Sequence, residues 1–395
     1  MPTSARAAVS ALLSLVLAAV LTTLLVGPAS AQSGQVSAAP RAVLSLARRV
    51  ADWQLAQLAH PAPHSPRESD DPRSWEQGAF WVGLAHLADA TGAPRYRDAI
   101  LAQGRANQWR LGDRIYFADD QVIGQSYAWA AAHGAGTDAL APMRSSFDAI
   151  LARPSRVHLS FVVPASGYGD TPCLKRWCWC DALFMGPPGW AALSRQTGDA
   201  RYARFALSEF WATSDFLYDE EEHLFYRDSR FFDRRDAQGR KLFWSRGNGW
   251  VMAGTANLLD ALPDDLDHAR LERLFVDMAA RIRTLQKPDG YWAPSLLAPE
   301  NSPPETSGTG FFVFALAWGV NQGLLDRAEY EPAIRNGWAA LTRAVGPDGR
   351  LGWVQQVSDR PDQVAESDTQ FYGVGAFLLA GAAVAALDLS DDRPR

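Results

Sequence analysis

Four short stretches of this chain interrupt apolar sequence with acids, amides, cations and indoles: 116–127 (YFADDQVIGQSY), 176–188 (RWCWCDALFMGPP), 243–251 (FWSRGNGWV) and 304–312 (PETSGTGFF). In the second, Asp181 follows Trp177 and Trp179 and opens the apolar run Ala182-Leu183-Phe184-Met185. A carboxyl held among aromatic rings loses hydration, so its pKa rises and it can deliver a proton near neutral pH. Asp is also common at a helix start, where it caps backbone N–H groups and stays ionised. Acid behaviour therefore needs burial or a second carboxylate. Asp119 or Asp120 could supply one, because two carboxyls in one pocket push their titrations apart; the alternative for that pair is a solvated loop. In the third stretch Arg246, Asn248 and Trp250 put a cation, an amide and a ring within five positions. Arg grips a carboxylate through paired hydrogen bonds and Trp stacks on a sugar ring, so this set suits an acidic sugar; the competing role is an Arg that bridges helix ends. Glu305-Thr306-Ser307-Gly308 reads as a capped helix start.

The rest of the composition narrows the chemistry. With 38 Lys and Arg against 44 Asp and Glu the net charge is -6, and no basic tract offsets it, which argues against nucleic acid as a partner. The 15 Trp residues, many beside Arg, Asp or Gly, serve equally as core or as sugar platforms. The seven His residues include no pair at a helical ligand spacing, so neither a metal nor a cofactor is expected. Cys173, Cys178 and Cys180 allow one disulfide in an oxidising compartment and leave one thiol over.

Arg6, an uncharged apolar run from Ala7 to Val26 and the exit Ala29-Ser30-Ala31 describe a secretory signal over residues 1–31, cleaved after Ala31. The run is also long enough for an uncleaved anchor, and in either case the folded part is expected outside the cytoplasm, periplasmic or secreted. No second Gly-free apolar run is long enough to span, so residues 32–395 are expected to stay out of the membrane once the signal is removed. They read as one domain, since no internal linker divides them; the sequence leaves the oligomeric state open.

The elements that must position these residues are helical. Leu271, Leu274, Phe275, Met278, Ile282 and Leu285 form one apolar face with charged residues opposite, which predicts a surface helix over 271–286. Residues 310–320 and 371–387 are apolar all round and predict enclosed helices. Pro288-Asp289-Gly290 and Pro347-Asp348-Gly349 repeat at 59 residues, and Thr91-Gly92 with Arg95-Tyr96 recurs 106 residues later as Thr197-Gly198 with Arg201-Tyr202. A period of this size divides the chain into roughly six units, each an outer amphipathic helix paired with an inner one. The expectation is an all-α fold, an (α/α)6 barrel whose four polar stretches converge on one rim.

The strings WCDALFMGPP, FWSRGNGWVMAG, LQKPDGYWAPSLL, PETSGTGFFVFALAWGVNQGLL, GWVQQV and FYGVGAFLLAG, in this order, resemble the unsaturated rhamnogalacturonyl hydrolases of glycoside hydrolase family 105 and the related family 88 unsaturated glucuronyl hydrolases. The resemblance covers about residues 45 to 385. It implies a metal-free (α/α)6 barrel that acts on the 4,5-unsaturated uronic acid left by polysaccharide lyases on pectin or rhamnogalacturonan oligosaccharides. In that family an Asp protonates C4, water adds at C5, and the hemiketal collapses to release the next sugar. The context Trp-x-Asp-x-Leu-Phe-Met puts Asp181 in the acid/base role. Asp119 matches the second carboxylate by its distance to Gly124, and Asp120 matches nearly as well. The resemblance carries substrate contact to Trp244 and Arg246, with Asn248 and Trp250 in the same string, Trp179 beside the acid, and Trp75 of WEQGAFWVG at the pocket entry. Arg227 stands where several members carry His, which leaves the sugar contacts there open, and Cys178 where relatives carry another aromatic. A polysaccharide lyase, another glycosidase on the same toroid and a noncatalytic carbohydrate-binding protein are the alternatives, since a fold does not fix a function.

Overall fold

The computed structural model describes residues 38–59, 71–266 and 268–389. The expected leader over 1–31, most of the polar stretch 60–73 and the charged tail from Asp391 lie outside them.

Thirteen helices carry the described fold: α1 (Ala38–Ala59), α2 (Trp75–Thr91), α3 (Pro94–Ala106), α4 (Ile123–Ala130), α5 (Ala141–Ala152), the short α6 (Ala182–Met185), α7 (Pro187–Thr197), α8 (Ala200–Leu217), α9 (Ser245–Ala261), α10 (Ala269–Thr284), α11 (Thr306–Asn321), α12 (Arg327–Arg343) and α13 (Phe371–Leu389). Each of α2, α4, α7, α9 and α11 packs against the next, α11 meets α13, and α13 returns to α2, which closes an inner ring of six. The other long helices lie outside it, and this is the expected (α/α)6 barrel. Among the described residues the only paired strands are β1 (Tyr218–Asp219) and β2 (Leu224–Phe225), a small antiparallel hairpin.

Patterning explains which helices face where. On α10, Leu271, Leu274, Phe275, Met278 and Ile282 are buried, as the spacing predicts; Leu285 falls just past the helix as its C-cap and is only half-buried. Helix α11 is buried from Thr306 to Gly319, and α13 is almost wholly enclosed from Phe371 to Ala385. The repeats mark equivalent corners. Gly92 and Gly198 end the inner helices α2 and α7 in the left-handed conformation, two hairpins apart. The Pro-Asp-Gly turns follow the outer helices α10 and α12, one hairpin apart, with φ of +90° at Gly290 and +98° at Gly349. The ring closes where a Cβ on Gly83 would come within 2.4 Å of the Gly375 carbonyl oxygen, so α13 reaches α2 at backbone distance. No helix among the described residues is long and apolar enough to cross a membrane.

Candidate active site

Asp181, on the short α6 turn that leads into α7, and the three stretches around Asp119, Arg246 and Glu305, at or just before the N-terminal ends of α4, α9 and α11, are gathered by the inner ring at one rim. There a cavity of about 620 Å³ opens, and Trp75, Asp119, Trp179, Asp181 and Arg227 all line it.

Asp181 precedes α6, yet its carboxylate caps no backbone N–H. Instead Oδ2 accepts from the Cys180 thiol at 3.4 Å and lies 3.5 Å from Arg227 Nε. Burial pushes its pKa up, and the Arg227 cation is the largest opposing effect, followed by the thiol and the charge of Arg246. Asp119 sits on a single 3-10 turn, Ala118–Gln121, ahead of α4. Its pKa is driven well above the carboxylate range, first by burial and then by the negative charge of Asp181. Oδ1 of Asp119 is covered and has no hydrogen-bond partner among the described residues, an environment that favours the neutral acid.

Asp120 goes elsewhere. Its oxygens accept from the Arg114 backbone N–H at 2.7 Å and from the guanidinium at 2.6 and 3.2 Å, and it does not line the cavity. A carboxylate so fully engaged ties the 112–120 turn together, and of the two neighbours Asp119 is the one that lines the cavity.

The aromatic contacts divide in the same way. Trp179 stacks on Phe117 at 5.1 Å, and Trp75 stacks on Tyr372 at 5.0 Å, both with access to the cavity. Trp250 is fully buried behind Trp75, packed on Phe311 at 4.2 Å. Trp244, Arg246 and Asn248, expected at the substrate, are also buried and do not line the cavity. Trp244 Nε1 donates to Gln355 Oε1 at 2.9 Å, and Arg246 donates to the carbonyls of Gln355 and Gln356 at 2.8 and 3.0 Å. The Asn248 amide accepts from Phe225 N–H at 2.7 Å and donates to Phe225 O at 3.1 Å. The reason is prior engagement: the Gln355 side chain and backbone groups take up the Trp244 indole N–H, the Asn248 amide and the terminal nitrogens of Arg246. They hold two walls in place, the segment that runs on to Asp362 and the β2 strand that leads to Arg227, whose carbonyl accepts from Cys180 N–H at 2.8 Å.

Arg227 is itself nearly buried, with its guanidinium on Asp228 at 2.8 Å and on the Tyr168 hydroxyl at 3.2 Å. Arg230 grips the same Asp228 through two bonds of 2.8 Å and reaches Asp359 at 2.8 Å. Sequence reasoning missed Arg114, Tyr168 and the wall Ser358-Asp359-Arg360. Only GWVQQV, just before that wall, pointed to it; the polar run after it has the composition of a solvated turn. Cys173 and Cys178 form the one disulfide, and Cys180 is the buried free thiol. Among the described residues no group of His, Cys, Asp and Glu could hold a metal.

A closed inner ring of six helices with an outer layer is the (α/α)6 barrel of the family 88 glycosyl hydrolases. The chain belongs to Glycosyl Hydrolase Family 88, whose sequence profile matches residues 46–387. It is 40% identical over 357 residues to a protein of Alteromonas sp. (strain LOR) named unsaturated 3S-rhamnoglycuronyl hydrolase, with 86% of each chain covered. A solved family 88 glycosyl hydrolase from Bacteroides vulgatus is similar with a TM-score of 0.76 and 27% identity, over 88% of this chain and 99% of that one. A second solved structure, described as a polysaccharide lyase, has a TM-score of 0.75 and 28% identity over 90% of this chain and 99% of its own.

Proposed function

We propose that this enzyme removes a 4,5-unsaturated uronic acid from the non-reducing end of lyase-generated oligosaccharides, of the pectin or rhamnogalacturonan type, by hydrating the double bond. The observation that carries this reading is two buried carboxyls in one cavity, Asp181 beside Arg227 and Asp119 with a covered, unpartnered oxygen. Burial raises the pKa of both: Asp119 also feels the negative charge of Asp181, and Asp181, raised despite the Arg227 cation beside it, can hold a proton to give. Asp181 gives its proton to C4; its carboxylate then receives a proton from the water that adds at C5. The hemiketal opens and expels the next sugar. Neutral Asp119 keeps a second negative charge out of the pocket at that moment. The name of the Alteromonas relative, which pairs an unsaturated uronyl group with rhamnose, supports rhamnose as the next sugar.

Lyase-digested rhamnogalacturonan tests the proposal through the ultraviolet absorbance of its conjugated uronate. The band should fade with the wild type and persist with Asp181→Asn. The similar structure described as a polysaccharide lyase favours a second reading, and the sign separates them, because a lyase makes the absorbance rise. We also propose a periplasmic or secreted location; the signal-like start and the Cys173–Cys178 disulfide support it.

A further inference from the structure

One long connection remains without a role in the reaction so far. Between α5 and α6 the chain runs out over the rim, and Val162, Val163 and Tyr168 are the large apolar side chains it leaves most exposed, at 65%, 42% and 42%. It is pinned at both ends of the exposed part. The Phe161 N–H donates to Ser229 Oγ at 2.8 Å, and the Phe161 ring lies under Arg230 at 4.2 Å. At the far end, the Cys173–Cys178 disulfide fastens it just ahead of Trp179 and Asp181. Between these points Tyr168 leans on Phe161, at 5.3 Å, and its side chain joins the cavity wall.

The Tyr168 oxygen accepts from Arg227 Nη2 at 3.2 Å. A phenol that accepts from a cation keeps its own proton to give and becomes a stronger donor. Among the described residues no acceptor takes that proton. Arg227 cannot serve an incoming anion with all its fork, since Asp228 holds Nη1 and Asp181 faces Nε. Arg246 is spent on carbonyls, and of the other arginines that line the cavity Arg114 pairs with Asp120 and Arg360 with Asp359. The uronate carboxylate sits on C5, one bond from the carbon that Asp181 protonates, so it must lie close to the groups that flank Asp181.

We infer that Tyr168 is a specificity residue: its Arg227-polarised hydroxyl donates to the carboxylate of the unsaturated uronyl group and selects the free acid over the esterified or amidated sugar. The inference rests on the proposed hydrolysis of unsaturated uronides. Its test is the ratio of kcat/KM for an unsaturated uronyl glycoside and for its methyl ester, in wild type and Tyr168→Phe. The phenyl ring retains the packing on Phe161, and an unchanged melting midpoint verifies the fold. The expected result is a rise in KM of roughly tenfold for the acid alone, with kcat and the ester nearly unaffected, so that the ratio falls by the same factor. An unchanged ratio with an active wild type overturns the inference and leaves the hydrolase standing, as does an equal loss on acid and ester. A wild type inactive on the acid removes the hydrolase reading and this inference with it.

Discussion

Two of the arginines at this rim, each close to aromatic rings, are held by different kinds of partner. Arg246 spans Trp244 and Tyr372, fully buried, with neutral carbonyls on its terminal nitrogens. Arg227 faces carboxylates and a phenol on the cavity side. A cation satisfied by carbonyls is a bracket, because those bonds exist whether or not substrate is bound. A cation set among ionisable groups instead tunes them, since its charge weighs protonated against ionised forms. On the proposed reading the region of FWSRGNGWV frames the pocket, with the charge of Arg246 also felt by Asp181, and the region of Asp119, Asp181 and Arg227 carries the chemistry.

This contrast is breakable, and the largest effect belongs to the chemical side. Asp181→Asn should lower kcat by about a thousandfold, the scale of a lost general acid–base, with the melting midpoint preserved or raised. Steady-state rates on an unsaturated uronide decide it; a loss smaller than tenfold would move the acid elsewhere. Next comes the frame. Arg246→Ala should destabilise the fold by about 3 kcal/mol in denaturant titration, because the Gln355 and Gln356 carbonyls lose their donors in a dry site. An unchanged midpoint with weakened substrate binding would return Arg246 to the substrate.

A third test uses Glu76, which is buried beside Trp75 and whose pKa burial raises from 4.5 to about 7. The folded state holds this proton more tightly than the unfolded chain, so its contribution is complete below pH 4.5 and declines as pH rises toward 7. Glu76→Gln should flatten that decline, a difference of up to about 3 kcal/mol at neutral pH seen in melting curves across the window. Parallel curves for the two proteins would refute it. The smallest effect is expected at Asp120: Asp120→Asn weakens a pair with a mostly exposed Arg114 and should cost under about 1 kcal/mol and less than threefold in rate. A larger loss in rate would restore Asp120 as the second carboxylate.

The barrel was legible because its signals are periodic. The one-sided apolar face of α10, the all-round apolarity of α11 and α13, and turn residues recurring one and two hairpins apart each report an element without reference to its neighbours. The burial of Asp181 at the cavity was legible too, since indoles and an apolar run surround it in the sequence itself. Choosing between Asp119 and Asp120 required knowing that Arg114, five or six positions earlier, folds back onto the second. Nor can residue type tell whether Arg246 faces carbonyls or a cavity, because the carbonyls come from Gln355 and Gln356, over a hundred residues away. The wall at 357–362 has a solvated turn's composition and gains its role only through what holds it.

The glycine contact between α2 and α13 joins residues 83 and 375, so the last inner helix to leave the ribosome completes the ring begun by the first. Until α13 arrives, Trp75 lacks Tyr372 beneath it and Arg246 lacks one of the rings around it. A nascent chain thus carries both carboxyls before it carries the helix that backs Trp75 and Arg246 at the seam.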